Sequence, residues 1–185
     1  MSLESIQDLL VDEVKDLYSA ELQLMVALPK MAKAASNAQL RSGIETHLRE
    51  TQRQVSRLEQ VFELMDVPAK AKHCKAMEGL IKEGSEVIEE KKADPAVKDA
   101  ALIAAAQKVE HYEIASYGSA IAHANLLGLG NVSKVLEQTL VEEKSTDQKL
   151  TSLAEGRVNL DAAGASSSQQ SSKRHSVEGG PSPMY

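Results

Sequence analysis

The fold is decided by residues 103–117, which read IAAAQKVEHYEIASY. Their apolar residues recur at three- and four-residue steps, the spacing of one face of an α-helix. Glu110 and Glu113 fall on that same face, one turn apart. An unpaired buried carboxylate destabilises a folded protein by several kcal/mol, so two of them on a core face require compensation. This stretch therefore predicts a core helix that carries polar chemistry on its buried side.

Acidic residues recur on the inner faces of the other long helices. Glu21 lies inside the apolar stripe of the first helix, and Glu143 and Asp147 lie inside that of the last. The second helix is less clear, since Glu50 and Gln54 lie at the edge of its apolar arc. The inward positions near these acids are apolar or small rather than Lys or Arg. Bound cations are then the natural compensation for several converging carboxylates.

These side chains predict a site for two metal ions between four helices. Carboxylates are hard oxygen ligands, which suit iron, with manganese as the alternative. The predicted ligands are Glu21, Glu50, Gln54, Glu110, Glu113, Glu143 and Asp147. His47, one turn before Glu50, can also reach the metal. It stays outside the predicted set because a half-buried core histidine is the simpler interpretation.

Helix breakers set the order of the elements. Long helices are predicted over about residues 2–37, 39–66, 96–127 and 132–158, with a shorter one between 69 and 94. Pro29 predicts a kink or weak last turns in the first helix. Asp94 before a proline predicts the start of the third, and Gly128 its end. Residues 1–160 thus form a ferritin-like antiparallel four-helix bundle of the all-α class, with a short extra helix in the central crossover. The Ser/Gln/Gly/Pro-rich tail, 161–185, is predicted to be disordered.

Composition limits the partners and the compartment. The chain of 185 residues has 21 Lys and Arg against 27 Asp and Glu, a net charge of −6, and this deficit of positive charge argues against a nucleic-acid partner. The sequence contains no apolar run long enough for a bilayer and no visible signal peptide, so we expect no membrane association. Cys74 is the only cysteine, which excludes an intramolecular disulfide and suits a reducing compartment. We therefore predict a soluble, cytoplasmic protein.

Several stretches carry a family resemblance. They are KDLYSAELQL at 15–24, HLRET at 47–51, LEQVF at 58–62, CKAMEGLI at 74–81, AAQKVEHYE at 105–113 and TLVEE at 139–143. Together they resemble the YciE/YciF-type ferritin-like family of bacterial stress proteins, over about residues 3–160. The resemblance implies a ferritin-like fold, a di-iron-type carboxylate site, a cytoplasmic homodimer and an association with stress responses. It supplies no substrate.

The sequence departs from the general ferritin-like pattern, which has Glu-x-x-His on two helices. Arg53 and Thr146 occupy the two histidine positions, and the amide or carboxylate one residue further on is the predicted replacement. Two functions stay open. One is a redox metalloprotein with ferroxidase- or peroxidase-like activity that uses oxygen or peroxide as a small-molecule oxidant. The other is a non-catalytic interaction or structural protein in which the metal only stabilises the bundle. Iron storage in a closed shell is disfavoured.

Overall fold

The computed structural model describes residues 3–164 of the chain. Its helices are α1 (Ile6–Ala34), α2 (Ala38–Leu64), α3 (Lys75–Glu89), α4 (Pro95–Leu126) and α5 (Gly130–Leu153). A π-helical segment, Ala154–Val158, follows α5, and residues 159–164 are again helical. Residues 3–164 contain no strand. The prediction of an all-α fold with a short helix in the central crossover is confirmed.

The predicted signals at the two ends of α4 are confirmed. The Asp94 side chain accepts hydrogen bonds from backbone N–H groups of the first turn, and Pro95 occupies the first helical position. At the other end, Gly128 has φ +71°, a left-handed conformation that glycine adopts without strain. The Leu129 N–H then donates to the Ala124 carbonyl at 2.9 Å, which closes the helix end.

Pro29 lies within α1 and does not end it. The helix continues for five residues, to Ala34. Met31 and Ala32, which follow the proline, are buried in the core. Their packing stabilises the last turns although proline removes one backbone hydrogen bond.

The helices pack in two pairs, α1 along α2 and α4 along α5, and the pairs meet through α1 with α4 and α2 with α5. Helix α3 lies against α1 and α4. The buried apolar side chains form two separate cores. One core includes Leu17 of α1 and Tyr117 of α4, and the other includes Leu24 and Ala106 of the same two helices. The predicted metal ligands lie between the two cores, on the middle stretch of each long helix.

The predicted domain boundary falls close to the end of the described chain. The helical path continues to residue 164, four residues beyond the predicted end of the bundle at residue 160. The rest of the predicted tail, 165–185, lies outside the described residues. Within 3–164, no helix is both long enough and apolar enough to cross a membrane.

Candidate metal centre

A polar cluster fills the space between the two apolar cores. Glu110 and Glu113 come from α4, Glu143 from α5 and His47 from α2, and one ligand atom of each lies within 4.8 Å of the others. All four side chains are buried, and so is Glu21 of α1 beside them. Oxygen and nitrogen ligands at about 2.0–2.6 Å from an ion lie about 4–5 Å apart across it. The spacing therefore fits a bound cation.

The cluster is also where buried polar atoms lack hydrogen-bond partners. The unpartnered atoms are both Oε atoms of Glu113, one Oε atom each of Glu21, Glu110 and Glu143, both ring nitrogens of His47 and the amide oxygen of Gln54. Among the residues that the structure describes, every buried side-chain oxygen or nitrogen without a partner belongs to these six residues. Because native proteins pair nearly all buried polar groups, a concentration of orphaned acceptors indicates a missing ligand.

Asp99 provides an internal comparison, since it is equally buried but fully partnered. Its carboxylate accepts hydrogen bonds from the backbone N–H of Ser36 at 2.8 Å and of Asn37 at 2.7 Å. The Ser36 hydroxyl donates to it at 2.5 Å. These bonds fix the turn between α1 and α2 onto α4. Burial alone thus does not leave a carboxylate without donors in this protein, and the cluster requires another explanation.

The electrostatics of the cluster favour either protons or a cation. Burial raises the pKa of Glu21, Glu110 and Glu113 well above the usual range, and the charges of neighbouring carboxylates raise it further. Burial also raises the pKa of Glu143, while the nearby His47 opposes that shift. Within residues 3–164, no Lys or Arg side chain is buried. A cation that displaced the protons would supply the missing positive charge.

Neighbouring hydrogen-bond donors orient the carboxylates of Glu21 and Glu143 and leave one oxygen of each without a partner. The Tyr117 hydroxyl donates to Glu21 Oε1 at 2.6 Å. The Gln54 amide donates to Glu143 Oε1 and, at 3.1 Å, to Glu142. Glu142 is itself held by the Arg57 guanidinium at 2.6 and 2.8 Å. Such outer contacts fix the orientation of metal-ligating carboxylates in metalloproteins.

Two of the predicted ligands lie at the edge of the cluster. Glu50 is partly buried, and His47, whose Nδ1 lies 3.9 Å from Glu50 Oε2, lowers the pKa of its carboxyl group despite this burial. Asp147 is also half-buried and accepts a hydrogen bond from Gln107 at 3.1 Å, with His111 Nε2 at 3.3 Å. The fully buried carboxylates of the cluster are Glu21, Glu110, Glu113 and Glu143, which carry −4 when ionised. Two divalent cations would balance that charge.

His47 belongs to the cluster, although it lies outside the predicted ligand set. Its side chain is 5% exposed, and its Nε2 lies 3.4 Å from Glu110 Oε1. The available signal was its position three residues before Glu50, which is the spacing of the ferritin-like Glu-x-x-His motif in reversed order. Gln54, a predicted ligand, donates its amide N–H to Glu143, and its amide oxygen has no hydrogen-bond partner.

Comparison with known proteins adds a family and several relatives. The family described as a domain of unknown function, DUF892, matches residues 5–163. Protein YciF of Escherichia coli is 50% identical over 163 residues, which cover 88% of this chain and 98% of YciF. The crystal structure of the E. coli stress protein YciF has a TM-score of 0.81 and covers 84% of this chain and 98% of that one.

Two further solved structures are similar. YcfI of Rhodopseudomonas palustris, a candidate structural protein, is 44% identical with a TM-score of 0.79, and covers 81% of this chain and 95% of that one. A Xanthomonas campestris protein at 22% identity has a TM-score of 0.66, and covers 84% of this chain and 94% of that one. That last likeness concerns the fold alone. The resemblance to YciF-type stress proteins that the sequence predicts is confirmed.

Proposed function

Because this chain belongs to the DUF892 family, whose description assigns no activity, we propose a function from its buried site: the protein binds two metal ions, iron by preference, and oxidises Fe²⁺ with oxygen or peroxide. The similarity to the E. coli stress protein YciF supports a role under stress conditions. Manganese is the alternative metal, since it accepts the same hard ligands.

The observation that carries the proposal is the set of orphaned acceptors between the two apolar cores. Four fully buried carboxylates and His47 converge there with few hydrogen bonds. The donor set fits iron or manganese, which bind carboxylate oxygen and imidazole nitrogen. We assign Glu21, Glu110, Glu113, Glu143 and His47 to the ions, with Glu50 and Asp147 at the edge. Bound iron ions would supply the electron transfer from Fe²⁺ to the oxidant.

The protein chain orients the carboxylates of the cluster and excludes water from it. Tyr117 and Gln54 each hold one oxygen of a carboxylate, and the other oxygen of that carboxylate is buried without a hydrogen-bond partner. The apolar cores above and below the cluster contain Leu17 and Leu24 of α1, both nearly inaccessible to solvent. Charges interact more strongly in such surroundings than in water. The bundle thereby supports tight cation binding by a small number of side chains.

The proposal is tested by Fe²⁺ titration under argon followed by exposure to oxygen or peroxide. We expect stoichiometric binding and then oxidation, which is followed by ferric absorbance. Glu110→Gln and Glu143→Gln should abolish both, since each removes a buried charged ligand. Glu137→Gln, at an exposed position of the same helix as Glu143, is the matched control and should behave as the wild type. A fully loaded wild type without turnover would refute the redox function.

A second candidate is a structural protein whose metal only stabilises the bundle. The similarity to YcfI, a candidate structural protein, favours it. In that case metal binding should raise Tm while neither oxygen nor peroxide oxidises bound Fe²⁺. The same titration therefore separates the two functions, because binding and oxidation are read independently.

We further propose that the protein acts in the cytoplasm as a homodimer. Cys74 is buried and free, which suits a reducing compartment. The dimer follows from the family resemblance and is tested by analytical ultracentrifugation. A species with the mass of two chains would support it, and a monomer at micromolar concentration would refute it.

A further inference from the structure

A large cavity adjoins the polar cluster on one side. Its volume is about 1080 Å³, and all five helices and the π-helical segment contribute to its wall. Exposed residues, among them Ser42 and Lys149, also line it, so the cavity opens to the surface. This size slightly exceeds the roughly 300–1,000 Å³ that is typical of small-molecule sites.

The wall of the cavity is mainly apolar. Each of the five helices contributes to it, through Leu28, Ile44, Leu80, Ala106 and Leu150. The residues on α1, α2, α4 and α5 are buried within one of the two apolar cores, so the cavity extends into the bundle rather than lying on its surface. An apolar wall of this extent favours an occupant with an aliphatic body.

The inner end of the cavity is polar. His47 and Glu110 both line it, and both are more than nine-tenths buried. Neither ring nitrogen of His47 has a hydrogen-bond partner, and Glu110 Oε2 has none either. These groups are available to a ligand that enters from the cavity and carries a hydrogen-bonding head.

The distribution of charge selects a neutral head. A carboxylate at the inner end would lie beside Glu50, and within residues 3–164 no buried Lys or Arg is available to pair with it. The basic residues of the wall are Lys30, Lys149 and Arg157, and all of them are exposed. Like charges at close range in a buried site repel strongly, so an anionic head is disfavoured there.

We propose that this cavity binds a neutral aliphatic molecule, an alcohol or a compound of similar polarity, with its head at His47 and Glu110 and its chain along the apolar wall. The proposal goes beyond the metal site but shares His47 and Glu110 with it, so the two are tested separately. Binding is therefore measured on the metal-free full chain, and its failure leaves the metal proposal untouched.

The assay uses the fluorescence of the apolar dye N-phenyl-naphthylamine, displaced by unbranched alcohols. Dye fluorescence should rise on binding to the metal-free protein, and decanol should displace it. Affinity should increase by about fourfold for each methylene from hexanol to decanol, as expected for burial of an aliphatic chain. Decanoate should displace the dye at least about tenfold more weakly than decanol, because its head is charged.

Variants locate the binding site. Ala106→Phe places a ring in the cavity and should weaken decanol binding by about tenfold or more. Ala122→Phe, the same substitution at an exposed position of α4 away from the cavity, is the matched control and should leave binding unchanged. Leu153→Trp fills the cavity from the other side at a half-buried position, and tests the same claim if Ala106→Phe does not fold.

Several results would overturn the proposal. One is the absence of any dye enhancement with folded wild type. Another is equal affinity for hexanol and decanol, or for decanol and decanoate. Equal loss of binding in Ala122→Phe would place the site elsewhere. Dye binding that disappears as the chains associate would identify a second copy of the chain as the occupant.

Discussion

Replacing Glu113 by glutamine should change the stability of the protein in opposite directions with and without metal. Glu113 is fully buried, and neither of its carboxylate oxygens has a hydrogen-bond partner. Burial raises its pKa well above the usual range, and the charge of Glu21 raises it further. Glutamine has the same shape without the charge, so the substitution relieves this cost when no cation is present.

The size of the stability change in the metal-free protein follows from the proton that Glu113 must take up when the chain folds at neutral pH. Above the usual carboxyl pKa of about 4.3, a buried group that keeps its proton lowers stability by about 1.4 kcal/mol for each pH unit. A buried amide without partners costs about 1–3 kcal/mol in the same place. We therefore expect Glu113→Gln to stabilise the metal-free protein as the pH rises, because about 1.4 kcal/mol is regained for each pH unit over which Glu113 keeps its proton, and each kcal/mol corresponds to about 2–4 °C in Tm for a chain of this size.

Bound metal reverses the sign of the stability change that Glu113→Gln causes. A ligand at 100 times its Kd stabilises the folded state by about 2.7 kcal/mol, or about 5–11 °C in Tm here. Glu113→Gln removes one charged ligand and should lose most of that gain. The wild type should therefore melt above the variant in excess Mn²⁺, and below it in chelator.

The assay is differential scanning calorimetry with chelator and with Mn²⁺. Asp99→Asn is the control, because Asp99 is equally buried but accepts three hydrogen bonds. It should lower stability by about 1.5–3 kcal/mol in both conditions, since charged hydrogen bonds are weakened. If Glu113→Gln lowers Tm in chelator as Asp99→Asn does, the carboxylate is a structural group and the reasoning is wrong.

Three further predictions concern the same cluster. The metal-free protein should lose stability in thermal melts as the pH rises above the usual carboxyl pKa of about 4.3, because the unfolded chain then releases protons that the buried carboxyl groups of the folded state retain. Mn²⁺ affinity, measured by calorimetric titration, should rise over the same pH range by about tenfold per pH unit for each proton displaced, and a flat profile would contradict the assignment of these acids. Tyr117→Phe should destabilise the protein by about 1–3 kcal/mol in urea unfolding, since Glu21 loses its 2.6 Å donor; an unchanged midpoint would mean that this hydrogen bond contributes nothing.

Much of the fold is predictable because its signals are local. Helical periodicity and breakers such as Asp94 and Gly128 act within a few residues, and the structure places the corresponding helix ends close to the predicted positions. The burial of Glu21 and Glu110 is predictable for the same reason, since a helical wheel needs only the spacing of neighbouring apolar residues. The exception is Pro29, whose effect is outweighed by the packing of the turns beyond it.

The composition of the site is less predictable because it depends on how helices approach each other. His47 and Glu50 lie one turn apart on α2, yet the His47 side chain is 5% exposed and lies beside Glu110, while that of Glu50 is 16% exposed. The Gln54 amide donates to α5 at a distance of 89 residues in sequence, which no local pattern encodes. The cavity depends on the separation of several helices, and no single helix contains a signal for it.

The central claim is that the buried carboxylates hold two metal ions. Crystals of the iron-loaded protein, measured on both sides of the iron absorption edge, test it most directly. We predict two anomalous peaks per chain between α1, α2, α4 and α5, with oxygens of Glu110 and Glu143 at bonding distance. A well-ordered cluster without an anomalous peak, in protein loaded under argon with excess Fe²⁺, would contradict the account.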